Sequence, residues 1–243
     1  MDVSIVVTAY NYSLFIDECL DSCLYQQGTT LDYEVIVVDD GSTDNTPALL
    51  ESRSDARMRV LRIENCGVEL ASNHGFAAAS GRFIVRVDAD DVLEPNYLAR
   101  MESILDQDFD FFYSDYTLID RYSMAQEVVC LPDFDAAEVM NRGDFLATGT
   151  LYRAELLLFH GGYAGLARNS GLENYELIIK LITSGAKGVH LATPLFQYRR
   201  HHINMSATQT ESIIAYGRDL FQRNSLGIFR TNKYHPYKLI VPE

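Results

Sequence analysis

A β-branched apolar run leads directly into an acidic turn at Glu34-Val35-Ile36-Val37-Val38-Asp39-Asp40-Gly41-Ser42-Thr43-Asp44. A similar run, Val3 to Thr8, comes earlier in the chain and breaks at Ala9-Tyr10-Asn11. From about Ser13 to Leu24, between the two runs, apolar residues recur at the spacing of one helix face. Such β-branched runs are typical of strands that are buried on both faces of a sheet. Strand, helix and strand in this order predict a βαβ unit and hence a parallel sheet.

The alternation of strand and helix patterns continues beyond this unit. The expected helices begin at about 46, cover 68–79, run from 95 to about 105, and cover 173–182. The expected strands lie at 59–62, at 83–87, around 110–115 and at 189–191, the last leading to 196–199. Residues 116–143 alternate weakly and are interpreted as a hairpin and loop over the sheet. The predicted fold class is α/β, a single domain with a Rossmann-like, mostly parallel sheet flanked by helices.

The composition is that of a globular protein with a strong negative charge. Of 243 residues, 47% are hydrophobic and 22% are charged, which argues against disorder for most of the length. The formal net charge of -14 disfavours a nucleic-acid surface, because a polyphosphate would be repelled. The sequence has no GxxxxGK[ST], GxGxxG or GxSxG pattern, which argues against a kinase or an α/β hydrolase.

The cysteines predict neither a zinc site nor a disulfide framework. Cys19, Cys23, Cys66 and Cys130 form no CxxC pair, and the first two are expected on one inward face of a helix. The strand pattern that starts at Val3 leaves no room for a signal peptide, and no stretch approaches the 18 apolar residues of a membrane span. The expected setting is therefore reducing and cytoplasmic.

Two acidic turns follow strands of the predicted sheet. Asp88-Ala89-Asp90-Asp91 comes directly after the strand at 83–87, and the turn at 39–44 comes after the strand at 34–38. Carboxylates held this close repel one another, and a hard cation between them stabilises the group. The alternative interpretation of each turn is a capped helix start with solvated acids. Both turns are expected at the same edge of the sheet, where open parallel sheets bind ligands.

Four segments occur in a particular order along the first part of the chain. They are Val3 to Asn11, Val37 to Asp44, Asn73-His74-Gly75 with Ala79-Ser80-Gly81, and Val87 to Asp91. Together they resemble the family 2 glycosyltransferases of GT-A fold. The resemblance covers residues 1–100 with specific motifs. Beyond them it is looser and rests on Glu173-Asn174 and on the segment 198–201.

The resemblance implies an inverting transferase that moves a sugar from a nucleoside diphosphate to an acceptor hydroxyl, in bacterial surface polysaccharide or glycan assembly. UDP-sugars are the expected donors, with dTDP-sugars second. The residues that it implies for donor binding are Thr8, Ala9, Tyr10, Asn11, Asp39, Asp40, Asn73, Asp88, Ala89, Asp90 and Arg199. A carboxylate can accept the imide N–H of uracil, and Tyr10 can stack on a flat base.

The resemblance also implies a divalent cation, Mg²⁺ or Mn²⁺, bound to the diphosphate as a Lewis acid. The implied metal ligands are Asp90, Asp91 and His201, and His202 competes with His201 for this role. The alternative for His201 is a surface histidine in a basic loop.

One departure from the family concerns the catalytic base. Relatives carry Glu-Asp, with the Asp as general base, where this chain has Glu173-Asn174. An amide cannot accept a proton at neutral pH, so the base is expected to be Glu173 or, next, Asp115 at its strand end. The alternative is a catalytically impaired nucleotide-sugar-binding protein that has kept the donor pocket.

The expected division of the chain is a nucleotide-sugar-binding half (1–100), an acceptor-binding half of the same domain (101–210) and a helical, basic and aromatic tail (211–243). The acceptor is expected to be a glycan or a lipid-linked sugar, with no nucleic acid as partner. The tail either rests on the inner membrane face as a peripheral contact, packs on its own domain, or joins two subunits in a homodimer.

Overall fold

The computed structural model describes residues 1–143, 149–165, 169–201, 210–233, 235 and 239–241. The strands are β1 (Val3–Ala9), β2 (Tyr33–Asp39), β3 (Met58–Arg62), β4 (Phe83–Asp88), β5 (Val92–Leu93), β6 (Phe111–Ile119), β7 (Ala125–Val129), β8 (Leu151–Arg153) and β9 (Gly188–Arg199). The helices are α1 (Ile16–Leu24), α2 (Thr46–Ser52), α3 (Val68–Ala78), α4 (Tyr97–Glu102), α5 (Ala136–Arg142), α6 (Ala154–Phe159), α7 (Glu173–Thr183) and α8 (Thr210–Arg223).

All these strands belong to one nine-stranded sheet, in the order β3-β2-β1-β4-β8-β6-β9-β5, with β7 paired to β6. The first four strands in this order are parallel, as the βαβ pattern predicts. Beyond β4 the sheet is mixed: β8 is antiparallel to both of its neighbours, whereas β6 and β9 are parallel to each other. The short β8 therefore joins the parallel half to the second half of the same sheet.

The register of the central strand decides where the acidic turns lie. β1 lies between β2 and β4, with Ala9 opposite Asp39 on one side and Thr8 opposite Asp88 on the other. Because all three strands run in the same direction, the turns that follow them come out at one edge of the sheet. The expectation that both acidic turns share this edge is confirmed.

The helices of the first half pack closely on the parallel strands. α1 buries Cys19 and Cys23 completely, as expected, and all four cysteines are free thiols. In α3, Gly75 lies against the strands so closely that a Cβ atom there would stand 2.3 Å from Cγ1 of Val6. The glycine in this helix is therefore required by close approach of α3 to the sheet.

The second half differs from the sequence prediction in several elements. The weakly patterned segment 116–143 contains the end of β6, the whole of β7 and the helix α5, so the predicted hairpin is present but the helix was missed. The segments 189–191 and 196–199 are parts of one long strand, β9, with irregular register opposite Asp115. The short elements β5, β8 and α6 were also missed, because two to six residues carry no measurable periodicity.

The described part of the tail packs on the chain itself. In α8, Tyr216 donates a hydrogen bond to Glu176 of α7, and Arg223 forms an ion pair with the same carboxylate at 2.9 Å. Phe221 and Phe229 lie with ring centroids 6.1 and 6.2 Å from that of Tyr175. Tyr234, Tyr237 and Lys238 lie outside the described residues. Within the part of the chain that the structure describes, no helix combines the length and the apolar character that crossing a bilayer requires.

We expect Gly75→Ala to lower the free energy of unfolding by about 1–3 kcal/mol, because the added methyl group collides with Val6. The better helix propensity of alanine, about 1 kcal/mol, works in the opposite direction. Urea unfolding measures the difference. The control is Ala77→Gly on the exposed face of the same helix, which we expect to cost about 1 kcal/mol. A Gly75→Ala protein as stable as the unmodified one would contradict the close packing.

Candidate active site

The loops after β1 and β2 are joined by the side chain of Asn11. Its Oδ1 accepts hydrogen bonds from the backbone N–H groups of Thr43 at 2.8 Å and Asp44 at 3.2 Å. Asn11 itself has a left-handed backbone, with φ of 62°, and its N–H donates to Ser42 Oγ at 3.0 Å. Tyr10, beside it, is 45% exposed. The loop is therefore fixed while the Tyr10 ring stays open at the rim, which suits stacking on a base.

The carboxylates at the end of β2 are buried and already accept hydrogen bonds. Asp40 accepts from the backbone N–H groups of Cys66 at 2.7 Å and Gly67 at 2.9 Å, directly before α3. Asp39 accepts from the N–H of Ser42 at 2.9 Å. Both aspartates thus hold neighbouring loops in place. A nucleoside donor group would have to share oxygens that the protein already uses.

Three of the predicted donor-binding residues are buried beneath the loops at this edge of the sheet. Thr8, Ala9 and Ala89 are buried at the ends of β1 and β4. Thr8 Oγ1 is buried and has no hydrogen-bond partner among the described residues. A buried hydroxyl without a partner is unfavourable, so a ligand that bonds it would be stabilised there.

The second acidic turn brings buried carboxylates together. Asp90 Oδ2 lies 2.8 Å from Nε2 of His201, and Asp91 Oδ1 accepts from the backbone N–H of Arg199 at 2.9 Å. Burial raises the pKa of Asp91 well above its ordinary value, and the charges of Asp90 and Asp88 raise it further. Burial also raises the pKa of Asp90, against the lowering effect of His201. The turn thus concentrates negative charge that the protein leaves incompletely balanced.

The side chains of this turn could bind a cation whose remaining ligands come from the substrate. Among the described residues, no three side chains of His, Cys, Asp or Glu converge into a metal cage. However, Asp90 and His201 are already paired, and the buried Asp91 Oδ2 has no hydrogen-bond partner within the described ranges. Mg²⁺ is commonly held by one or two carboxylates together with substrate phosphates rather than by a protein cage. His202 lies outside the described residues.

Arg199 supports the acidic turn from below. Its side chain is 1% exposed; Nε donates to the carbonyl of Asp90 at 2.7 Å and Nη2 to Glu18 Oε2 at 2.7 Å. Its Nη1 donates to the carbonyl of Asp120 at 3.1 Å, and its Cζ lies 5.1 Å from the ring centroid of Phe15. The guanidinium is thus directed at protein groups and is not open to a donor phosphate, in contrast to the role expected for it.

Two aromatic residues of the site were missed by sequence reasoning. Burial raises the pKa of Tyr12, and the charges of Asp90, Asp88 and Asp91 raise it further. The ring of Phe15 stacks on that of His201, with centroids 5.1 Å apart and planes 11° from parallel. The signal for Tyr12 was its position in the loop directly after Tyr10-Asn11. Phe15 falls within the apolar spacing between Ser13 and Leu24, which predicts packing in the core and gives no signal for stacking on His201.

The first candidate base, Glu173, is the first residue of α7 and lies deep in the site. Its Oε1 accepts from Nη1 of Arg86 at 2.9 Å, and Nη2 of the same guanidinium is ion-paired with Asp88. Glu173 Oε2 is buried, and none of the residues that the structure describes forms a hydrogen bond with it. Burial raises the pKa of Glu173, although Arg86 opposes the shift. A raised pKa and one unused oxygen are properties that a general base needs.

The neighbouring Asn174 is held through its amide. The hydroxyl of Tyr163 donates to Asn174 Oδ1 at 2.5 Å. Asn73, which was expected to bind the donor, instead bonds both backbone groups of Tyr163, at 2.8 and 2.9 Å. The structure therefore gives Asn73 the task of fixing Tyr163, which in turn fixes Asn174.

The second candidate base, Asp115, lies on β6 at the height of Asp88. The registers of β4, β8 and β6 set Val85, Leu151 and Phe112 in one row, and the two aspartates follow three residues further along their strands. Asp115 Oδ1 accepts from the N–H of Leu131 at 2.8 Å and lies 2.8 Å from Nε2 of the buried His190. Asp115 therefore lies within β6, four residues before its end, and not at a strand end as expected, but it reaches the same height as Asp88.

We expect Arg199→Lys to lower the free energy of unfolding by about 1–3 kcal/mol, because an ammonium group cannot reproduce the forked hydrogen bonds under the turn. Chemical denaturation measures the effect. The exposed neighbour offers the control Arg200→Lys, expected to change stability by less than about 0.5 kcal/mol. Unchanged stability of Arg199→Lys together with weakened donor binding would instead place Arg199 in contact with the donor.

Proteins similar to this chain include one curated relative and two solved structures. GlyG, a glycosyltransferase of Streptococcus pneumoniae serotype 4, is 28% identical over 240 residues, covering 90% of this chain and 77% of GlyG. S. aureus TarS 1–349 in complex with UDP-GlcNAc matches with a TM-score of 0.72 at 20% identity, over 94% of this chain and 67% of that one. The mannosyltransferase PcManGT from Pyrobaculum calidifontis, in complex with GDP-Man and Mn²⁺, matches with a TM-score of 0.69 at 19% identity, over 97% and 67%.

The structural neighbours confirm the predicted α/β fold, which is the GT-A fold of glycosyltransferases. The sequence family described as Glycosyl transferase family 2 matches residues 4–127, which is more than half of the chain. This match includes both acidic turns and all four strands of the parallel half. The chain is therefore a glycosyltransferase and belongs to glycosyl transferase family 2.

Proposed function

We propose that the chain transfers a sugar from a nucleoside diphosphate, a UDP-sugar first and a dTDP-sugar second, to an acceptor hydroxyl with inversion at the anomeric carbon. The observation that carries the proposal is the parallel register of β2, β1 and β4, which brings two acidic turns and the exposed Tyr10 to one edge. The UDP-GlcNAc and GDP-Man complexes of the structural neighbours support a nucleotide-sugar donor.

In this proposal the nucleoside lies between the two acidic turns. Tyr10 stacks on the base, and Thr8 Oγ1 gains the hydrogen bond that it lacks in the protein alone. Asp39 and Asp40 face the base and ribose with the carboxylates that also hold the neighbouring loops. Preformed loops suit binding, because little backbone entropy is lost when the donor arrives.

Asp90, Asp91 and His201 are the proposed ligands of Mg²⁺ or Mn²⁺. The cation supplies positive charge that stabilises the leaving diphosphate. The residues of the chain hold and orient this charge: Arg199 fixes the turn from below, and Phe15 keeps the ring of His201 in place by stacking. The Mn²⁺ complex of PcManGT supports this assignment.

The reaction needs a group that takes the acceptor proton. As the acceptor oxygen bonds to the anomeric carbon, the bond to the diphosphate oxygen breaks on the opposite face and the hydroxyl proton moves to a carboxylate. We assign this role to Glu173 through Oε2, and to Asp115 as the second candidate. Support for Glu173 comes from its buried, unpartnered oxygen and its raised pKa.

The acceptor is proposed to be a glycan or a lipid-linked sugar of surface polysaccharide assembly, bound mainly by residues 101–210, with residues 1–100 holding the donor. In the tail, 211–243, helix α8 packs on α7. Its exposed Ile228 and Ile240, 73% and 80% accessible, are available for peripheral contact with a membrane or a second subunit.

The second candidate function is a nucleotide-sugar-binding protein without turnover. The observation that favours it is Asn174, an amide at the position where the family resemblance implies an aspartate that acts as the general base. The amide oxygen of Asn174 already accepts a hydrogen bond from Tyr163. Such a protein would keep the donor edge intact and lack proton transfer.

We expect UDP-sugars with Mn²⁺ to raise the melting temperature by several degrees, because a ligand at about 100 times its Kd adds about 2.7 kcal/mol of stability. Asp90→Asn should remove the Mn²⁺-dependent part of this shift, since it removes a metal ligand. Asp108→Asn, at a fully exposed aspartate before β6, is the matched control and should keep the full shift. A full shift with Asp90→Asn would sink the donor-site assignment.

We expect Glu173→Gln to lower kcat by about 10²- to 10⁴-fold with little change in donor affinity, because it removes the proton acceptor. Asp115→Asn should cost less than about tenfold, and Asn174→Asp should raise kcat by no more than a few-fold. Steady-state donor hydrolysis and transfer measure all three. The binding-protein alternative predicts tight donor binding without turnover in the unmodified chain, and turnover gained on Asn174→Asp.

A further inference from the structure

Arg86 is a charged residue in the middle of a buried strand. The other residues from Phe83 to Val87 on β4 are apolar, yet the side chain of Arg86 is 4% exposed. Arginine is almost never buried without partners, since its charge must be balanced where water is excluded. The contacts of Arg86 therefore indicate why the strand carries it.

The guanidinium of Arg86 bridges the two functional halves of the site. Its Nη2 is paired with Asp88, the first residue of the second acidic turn. Its Nη1 donates a hydrogen bond to Glu173 Oε1 at 2.9 Å. The two carboxylates come from a strand and a helix that are 85 positions apart in the chain, Asp88 and Glu173. Because the guanidinium is planar and rigid, its fork fixes the position of one carboxylate relative to the other.

A second set of contacts involves the flat face of the Arg86 guanidinium. The Cζ of Arg86 lies 5.4 Å from the ring centroid of Tyr163, whose hydroxyl donates to Asn174. Asn174 follows Glu173 in the first turn of α7. Arg86, Tyr163 and the first turn of α7 thus form a closed set of contacts, which restricts the rotamer of Glu173.

This arrangement leaves one particular oxygen for a ligand. Glu173 Oε1 accepts a hydrogen bond from Arg86, whereas Oε2 is buried and has no hydrogen-bond partner in the described part of the chain. A buried acceptor of this kind is unfavourable until a donor reaches it. A substrate hydroxyl would provide that donor.

We propose that Arg86 is a positioning residue that sets Glu173 Oε2 at a fixed place relative to the donor held by Asp88. The inference rests on the proposed function, in which Glu173 accepts the proton. Arg86 touches neither the acceptor nor the donor in this role; it acts through Glu173. Misplacement of a reacting group by about 1 Å costs about 10²-fold in rate, so loss of the fork should be measurable in kcat.

The test is a double-variant cycle that compares kcat, measured by steady-state donor hydrolysis and transfer, for Arg86→Lys, Glu173→Gln and the two changes together. The donor is the one of UDP-glucose, UDP-galactose, UDP-GlcNAc, dTDP-glucose and GDP-mannose that gives the largest Mn²⁺-dependent thermal shift. Arg86→Lys keeps the charge beside Asp88 and loses the fork; we expect kcat to fall by about 10- to 100-fold and donor KM to change by less than about threefold. In a Glu173→Gln background the same change should lower kcat by less than about twofold, because Arg86 then has no base to position.

Two further variants keep the result independent of folding. Arg86→Gln, a neutral planar donor, is measured beside Arg86→Lys, and each variant is first compared with the parent protein in its Mn²⁺-dependent donor shift. Arg82→Lys, at a 60% exposed arginine just before β4, is the control and should leave kcat unchanged. Variants that fold only when Glu173→Gln is also present would support the pairing as well.

The outcomes separate the inference from the proposed function. In one outcome the parent protein is active and the kcat losses of Arg86→Lys and Glu173→Gln multiply in the double variant. This would overturn the role of Arg86 and leave the transferase proposal intact. Equal losses in kcat and in donor binding would overturn it too, since Arg86 would then act through Asp88. A parent protein that binds donor and Mn²⁺ but turns over nothing would contradict the proposed transfer, and the positioning role with it.

Discussion

The parallel placement of β1 between β2 and β4 is the constraint on which the site depends. Ala9 lies opposite Asp39 and Thr8 opposite Asp88, so three chain segments leave the sheet side by side. Side chains alternate across a strand, so a slip of β1 by one residue would exchange the side chains packed on its two buried faces and would move Ala9 and Thr8 away from Asp39 and Asp88. The apolar core therefore fixes the register, and the register fixes the distance between the acidic turns. Packing and function are linked in the same set of strands.

Two buried guanidiniums then organise the acids that this register brings together. Arg199 supports the turn of Asp90 through backbone carbonyls, and Arg86 joins Asp88 to Glu173 through side chains. Most carboxylates of this chain, which has a net charge of -14, are not buried and need no partner, because water solvates them. The few that are buried do, because an unpaired buried charge is strongly destabilising. The arginines thus hold the acids in place, while Asp91 Oδ2, which we propose faces the cation, has no hydrogen-bond partner among the described residues.

The sequence predicts the first hundred residues well, because strands and helices there are long, periodic and locally connected. β1, β2, β4 and α3 lie within a residue or two of their predicted bounds, and the shared edge follows from strand direction alone. The second half is held by contacts that leave no local pattern. Asp91 and Arg199 are 108 positions apart, and Arg86 and Glu173 are 87 apart. The burial of Arg199 and the role of Asn73 at Tyr163 could not be read from spacing, since each depends on which distant backbone groups lie nearby.

The amide at Asn174 is consistent with this charge arrangement. An aspartate at this buried position would add a third carboxylate near Glu173 and Asp88, which already share the single guanidinium of Arg86. Like charges at close range raise one another's pKa, and at least one would then stay protonated. With an amide at 174, one arginine balances two carboxylates, and Tyr163 finds a neutral acceptor. An amide at 174 therefore lowers the electrostatic cost of keeping Glu173 ionised, which is the state that the proposed general base requires.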